Sequence, residues 1–159
     1  SRAIKLLHAL SIKTTVSPIV FYIIGYCYKQ LDNKKDMLHF YTVGDQTNPE
    51  YCFPHRVEEK IVLKDVIFET GSAQASYLLG NLLYDKLQYD EAISHFENAY
   101  NKQYEYSVLY RNLGVAYFNN YKDSHRAVKM YEKAVDQNPK DGRVLYELDQ
   151  LYKIQNIDC

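Results

Sequence analysis

From Ala73 to Asp141 apolar and small residues recur at helical spacing, and the whole pattern then restarts. Leu79-Gly80 returns as Leu113-Gly114, 34 residues on, and Phe96 and Ala99 return as Tyr131 and Ala134, 35 residues on. The second copy therefore holds one extra residue, most simply in the turn from Tyr121 to Ser124. Each copy contains two amphipathic stretches split by a polar turn, which predicts a pair of helices. Gly25, Gly80 and Gly114 recur on the first helix of a pair, where no side chain fills the gap and two backbones approach closely. Ala92, Ala99, Ala127 and Ala134 do the same on second helices, and the aromatics fill the wedge between pairs.

Read from its start, the chain divides at the points where this register begins and fails. Residues 1–17 place Ile4, Leu7 and Leu10 on one helical face and read as the second helix of a truncated repeat. Pro18 suits the first position of the next helix. Residues 18–51 form a divergent repeat: Phe21, Ile24-Gly25 and Tyr28 lie on its first helix, and Met37, Tyr41 and Gly44 on its second. Residues 52–72 break the alternation, being too few for a repeat. They read as a loop, Tyr51 to Arg56, and one extra helix stopped by Gly71. On that helix Val57, Ile61, Lys64 and Phe68 fall along one side and Leu63, Val66 and Ile67 along another. Apolar residues on two sides predict a helix packed between neighbours. Residues 73–106 and 107–141 are the two regular repeats. Residues 142–159 restart the first-helix pattern with Leu145, Leu148 and Tyr152, but Asp149 replaces the glycine, as a terminal helix without a close successor would allow.

This set of spaced positions resembles the tetratricopeptide repeat. The resemblance implies an all-α superhelix, here of about nine antiparallel helices in one domain with no strand. It also implies a non-catalytic scaffold that holds a peptide or helix of a protein partner in its concave groove. In the family the first helices line that groove. The matching positions that carry recognition-type side chains are Tyr22, Tyr26, Tyr77, Asn81, Tyr84, Arg111, Asn112, Arg143 and Tyr146. Tyrosine with Asn and Arg makes rigid, adaptable contact surfaces. The alternative for the tyrosines is lateral packing. Asn81, Asn112 and Arg143 also match three positions of the family's carboxylate clamp, but Tyr77 stands where that clamp needs Lys and Glu147 where it needs Arg. Consensus asparagines explain the match better than a clamp does.

The loop of Tyr51, Cys52, Phe53, Pro54, His55 and Arg56 is foreign to the repeat pattern. With Glu58 and Glu59 after it, it resembles a segment in the repeat region of large bacterial proteins that carry a sugar-enzyme-like domain upstream. That resemblance implies a second reading, a structural appendage of a larger carbohydrate-active enzyme, with an intramolecular domain as partner. Two roles stand for the loop. Tyr51, Cys52, Phe53, His55 and Arg56 line a pocket, with Arg56 meeting an anion; or the loop plugs the place of the missing helix, with Arg56 paired to a carboxylate.

Composition adds exclusions. The 159 residues carry a net charge of -1 with the two signs interspersed, which gives no basic face for nucleic acid. Seventeen tyrosines and no tryptophan fit a solenoid core supplied with aromatics. The three cysteines, Cys27, Cys52 and Cys159, are odd in number and spread apart, as in a reducing, cytoplasmic setting. No apolar run reaches the ~20 residues of a membrane span. Ser1 opens directly in an amphipathic pattern without a signal peptide. The missing initiator Met marks an excised piece, and its interrupted end repeats allow self-association. Cys52 and His55 have metal-like spacing, but no second pair completes a site. His8, His39 and His125 fall on separate helices, and His95 lies one turn after Glu91 as an exposed pair. No nucleophile, phosphate-loop or metalloprotease motif is present, so no cofactor and no catalysis are expected.

Overall fold

The computed structural model describes residues 17–155. The truncated first helix with Ile4, Leu7 and Leu10, and the terminal Cys159, lie outside the described residues. Within them the chain is all-helical, with no strand. The order is α1 (Pro18–Lys29), α2 (Lys34–Gln46), α3 (Val57–Thr70), α4 (Ala73–Asp85), α5 (Tyr89–Asn101), α6 (Ser107–Tyr121), α7 (Ser124–Gln137) and α8 (Gly142–Gln155). None is long and apolar enough to cross a membrane.

The ends of the helices follow from local chemistry. Pro18 opens α1. The side chains of Asn33, Ser72 and Asp123 accept the backbone N–H of Asp36, Ala75 and Arg126, and so cap α2, α4 and α7. Gly71, left-handed at φ 69°, ends α3 by donating to the Ile67 carbonyl. In each hairpin the turn from first to second helix passes through one left-handed residue: Asp32, Leu87 and Lys122. Lys122 sits one place later in its repeat than Leu87 does, so the extra residue of the second regular copy lies at the end of α6, within the expected turn.

α1 packs on α2, α4 on α5 and α6 on α7 as helical hairpins, and α8 packs on α7. The seams are closed by ring-on-glycine contact. A Cβ at Gly25 would come 2.5 Å from the Tyr41 ring, at Gly80 2.5 Å from Phe96, and at Gly114 2.6 Å from Tyr131. Those rings, with Leu79, Leu83, Ala92, Leu113 and Ala127, form one continuous core.

α3 is where the structure departs from the sequence expectation. It packs on α1 and α4 through Val62, Leu63 and Val66. The side with Val57, Ile61 and Phe68 is not covered by a neighbour, and Phe68 is 84% exposed. The helix therefore has one packed face, and the second apolar stripe faces outward. Polar contacts fasten α3 at both ends. Lys29 of α1 bonds Asp65 at 2.5 Å and Glu69 at 2.7 Å, and Tyr41 donates to Asp65 at 2.6 Å. At the other end Lys60 and Lys64 reach Glu91 of α5.

Those two lysines occupy Glu91, and His95 makes no ion pair with it, contrary to the expected exposed pair. His95 is half-buried, and burial lowers its pKa, with Lys64 and Lys60 adding to that against the opposing pull of Glu91. The folded protein therefore takes up the His95 proton less readily than the unfolded chain. Its contribution to stability is complete above the unfolded value near 6.5 and is lost as pH falls from there through the lower folded value. Urea midpoints measured at pH 7.5 and 5.5 should drop on acidification, and His95→Gln should shrink that drop. An equal drop in the variant would remove His95 from the account. Glu91, whose own pKa is lowered first by its bond to Lys64, loses its contribution only below about pH 4.5 and so falls outside this window.

Candidate functional site

The first helices α4 and α6 turn one side toward a common concavity, whose lining is completed by the start of α8 and the loop of residues 48–53. The half-open cavity has a volume of about 890 Å³. Its floor is aromatic: Tyr77 packs edge-on against Tyr106, with ring centroids 5.2 Å apart, and lies 6.0 Å from Tyr104. Its walls are Asn81, Tyr84 and Asp85 from α4, Val108, Arg111, Asn112 and Val115 from α6, and Asp141 and Arg143 at the start of α8.

Six of the nine residues expected in the groove line this cavity: Tyr77, Asn81, Tyr84, Arg111, Asn112 and Arg143. Most already have partners. Asn112 donates to Asn81 at 2.8 Å, and Tyr84 donates to Asn120 at 3.1 Å. Arg111 grips Glu147 with two bonds, at 2.8 and 2.6 Å, and Tyr131 donates to the same carboxylate. Burial works against the charge of Arg111, but the Glu147 carboxylate outweighs it and raises the pKa. Glu147 thus does more than repel an anionic ligand: it takes up the nearest cation. Arg143 is exposed and forms no side-chain ion pair among the described residues.

The other three are not brought to the cavity. Tyr22 is fully buried, because its ring lies over Gly44, where a Cβ would collide with it, and its hydroxyl donates to Asp45 at 2.6 Å. Burial first, and then Asp45, push its pKa well above the ordinary tyrosine value. Tyr26 is half-buried on α1, away from the cavity lining. Tyr146 is 65% exposed outside it. Tyr77 reaches the cavity only by an edge, being 3% exposed beneath Tyr104 and Tyr106. For Tyr22 and Tyr77, then, packing prevails over contact.

The foreign loop divides between inward and outward side chains. Cys52 and Pro54 point inward, and Ser17 donates to the Cys52 thiol at 2.9 Å. Tyr51 and Phe53 point outward on the cavity rim, 83% and 71% exposed. His55 and Arg56 are not in the lining, and Arg56 forms no ion pair among the described residues. Their backbone N–H groups instead donate to the Glu59 carboxylate at 2.8 and 2.9 Å, starting α3. Neither the pocket role nor the carboxylate pairing expected of Arg56 is therefore present. Among the described residues no three His, Cys, Asp or Glu side chains gather as metal ligands would.

Gln74 holds the second place of its first helix, a groove position in the repeat register, but the structure turns it away from the cavity lining. It is buried where the irregular segment rejoins the repeats. Its amide donates to the Gly44 and Thr47 carbonyls at 2.7 and 3.1 Å and accepts from Tyr104 at 2.8 Å. Beside it Asp45 accepts from both Tyr22 and Ser72. The available signal was a polar second residue on α4 where α1 has Ile19 and α6 has Val108.

Residues 109–141 match the tetratricopeptide repeat family. Among solved structures, one of MamA is similar at 18% identity with a TM-score of 0.58, covering 98% of this chain and 78% of that one. A second structure of the MamA protein is similar at 20% identity and TM-score 0.58, covering 88% of this chain and 83% of that one. At this identity the likeness shows the fold alone.

Proposed function

We propose that this solenoid of tetratricopeptide repeats is a non-catalytic interaction scaffold that holds an extended segment of a partner protein in the cavity between α4, α6, α8 and the Asn48–Phe53 loop. The repeat boundaries 18–51, 73–106 and 107–141 are part of the proposal. One observation carries it: two large aromatics, Tyr51 and Phe53, stand exposed on the rim of a cavity of about 890 Å³ and add little to the core. Exposed aromatics around a concavity are the anchors of binding surfaces. The groove contacts are then Tyr51 and Phe53 on the rim, Asn81 and Asn112 on the wall, and Arg143. Tyr77 supports the floor, and Arg111 orders the wall through Glu147.

The test is a pull-down from the native host followed by affinity measurement on the segment recovered. Tyr51→Ala with Phe53→Ala should weaken binding by roughly tenfold or more, since truncating an interface anchor has effects of that order. The thermal midpoint should stay put, because both side chains are exposed. Full affinity in the double variant would remove the groove assignment.

The second reading, an appendage of a larger enzyme, draws on a different surface. Val57, Ile61 and Phe68 form an exposed apolar stripe on α3 of the kind that meets another domain. Cross-linking in the native host distinguishes the two. Lys60 or Lys64 joined to a catalytic domain of the same polypeptide favours the appendage, and cross-links from residues 48–53 to a separate protein favour the scaffold.

A further inference from the structure

We infer that the loop end of the cavity receives the cationic side chain of a Lys or Arg in the bound segment. This rests on the groove reading above and adds the chemistry of its occupant. The argument begins with charge. The lining carries the carboxylates Glu50, Asp85 and Asp141 against the cations Arg111 and Arg143. Arg111 is taken up by Glu147, which leaves Arg143 as the cation of the lining without an ion pair among the described residues. Asp85 is bonded to Lys86 at 2.6 Å, and Asp141 accepts two backbone N–H groups at the start of α8. Glu50 is the most available of the three: its carboxylate has one partner among the described residues, the Asn48 amide at 3.5 Å.

The second part is placement. Glu50 adjoins Tyr51, and both lie beside Tyr106 in the lining. The hydroxyl of Tyr106 is raised in pKa by burial first, then by Glu50, Cys52 and Tyr51, which is the effect of a carboxylate standing near it. The loop thus places Glu50 in the same lining as the aromatic residues Tyr51, Phe53 and Tyr106. Ring faces are electron-rich, and a cation above them is attracted by the quadrupole as well as by the full charge of the carboxylate. An anionic side chain would meet Glu50 and the same ring faces with the opposite sign. The backbone agrees with a presented loop: Tyr51 is held left-handed at φ 60°, a conformation unfavourable for a tyrosine, while its ring stays in solvent.

The experiment titrates ¹⁵N-labelled protein with three peptides, Ac-Gly-Phe-Ala-X-Ala-Phe-Gly-NH₂, where X is Lys, norleucine or Glu, following the amides of Asn48 and residues 50–53 by NMR. The Lys peptide should bind roughly tenfold tighter than the norleucine peptide, and the Glu peptide weakest. Glu50→Gln should remove the preference for Lys while leaving norleucine binding unchanged; Glu50 is exposed, so the fold is not at stake. Equal binding of Lys and norleucine, or a Lys preference that survives Glu50→Gln, overturns the inference. If the Glu peptide binds tightest and Arg143→Gln abolishes it, the inference falls and the groove reading stands. Saturable shifts from none of the three overturn both.

Discussion

Gly80→Leu should destabilise the protein by about 3 kcal/mol or more, the upper end of what overpacking a core produces. The thermal midpoint of a chain this size would fall by roughly 10 °C. The cause is local and geometric. Even the first added carbon would sit 2.5 Å from two atoms of the Phe96 ring and 3.2 Å from the Ala92 carbonyl. Phe96 is buried and lies near both Tyr77 and Tyr84, with centroids 6.4 Å away, so the ring cannot withdraw without displacing its neighbours. α4 and α5 must move apart instead, and the core that α5 and α6 share moves with them. Gly80→Ala sharpens the test. Alanine favours a helix over glycine by about 1 kcal/mol, yet the substitution should still destabilise. Gly142→Ala is the control: nothing lies within 4 Å of a Cβ there, and the first turn of α8 should gain up to about 1 kcal/mol. If Gly80→Ala and Gly142→Ala shift the melting curve alike, the seam is not what requires glycine at position 80.

Gln74→Ala should lose about 2–4 kcal/mol, combining a cavity with hydrogen bonds left unmade. Its amide satisfies the Gly44 and Thr47 carbonyls at the end of α2, and its oxygen accepts the Tyr104 hydroxyl from the loop after α5. One side chain therefore joins the divergent repeat, the re-entry after α3, and the next hairpin. Removing it strands polar groups that no water-exposed side chain replaces. Gln74→Glu tests the electrostatic half. A carboxylate facing two carbonyls is unfavourable while charged, so its folded pKa rises, and the penalty at pH 7 should ease toward pH 5 as the group protonates. Denaturant midpoints of the three proteins at both pH values give the answer. A Gln74→Ala protein within 0.5 kcal/mol of the parent, roughly the scatter of surface substitutions, would show that the junction is held elsewhere.

How far the site was legible depends on what covers each position. Tyr22, Tyr77, Arg111 and Tyr146 share the fifth place of a first helix, and the register alone treats them alike. The structure separates them. Tyr22 sinks over Gly44. Tyr77 is roofed by Tyr104 and Tyr106. Arg111 turns to Glu147 on α8, and Tyr146, on that same last described helix, stays exposed. The covering groups lie 22 to 36 residues away on other helices and loops, beyond the reach of helical periodicity. The outward stripe of α3 failed as a prediction for a related reason. Two apolar sides show that a helix can be packed twice, not that its neighbours, here α1 and α4, cover both sides.

The sequence by itself determined the repeat, the helical hairpins, the start at Pro18, the stop at Gly71 and the three glycine seams, because each follows from contacts inside a window of about 34 residues. The recurrence of Gly80 as Gly114 and of Phe96 as Tyr131 is legible at steps of 34 and 35, but that each ring lies on its glycine within a hairpin, rather than in the wedge between pairs, came from the structure. The tertiary structure alone decided which tyrosines remain for a ligand, that Arg111 is occupied by Glu147, and that Tyr51 and Phe53 rim the cavity while His55 and Arg56 do not. It alone brought Asp45 and Gln74 together across the irregular segment. Exposure and long-range hydrogen bonding are properties of how separate hairpins dock, and docking at α3 follows no repeat from which it could be read.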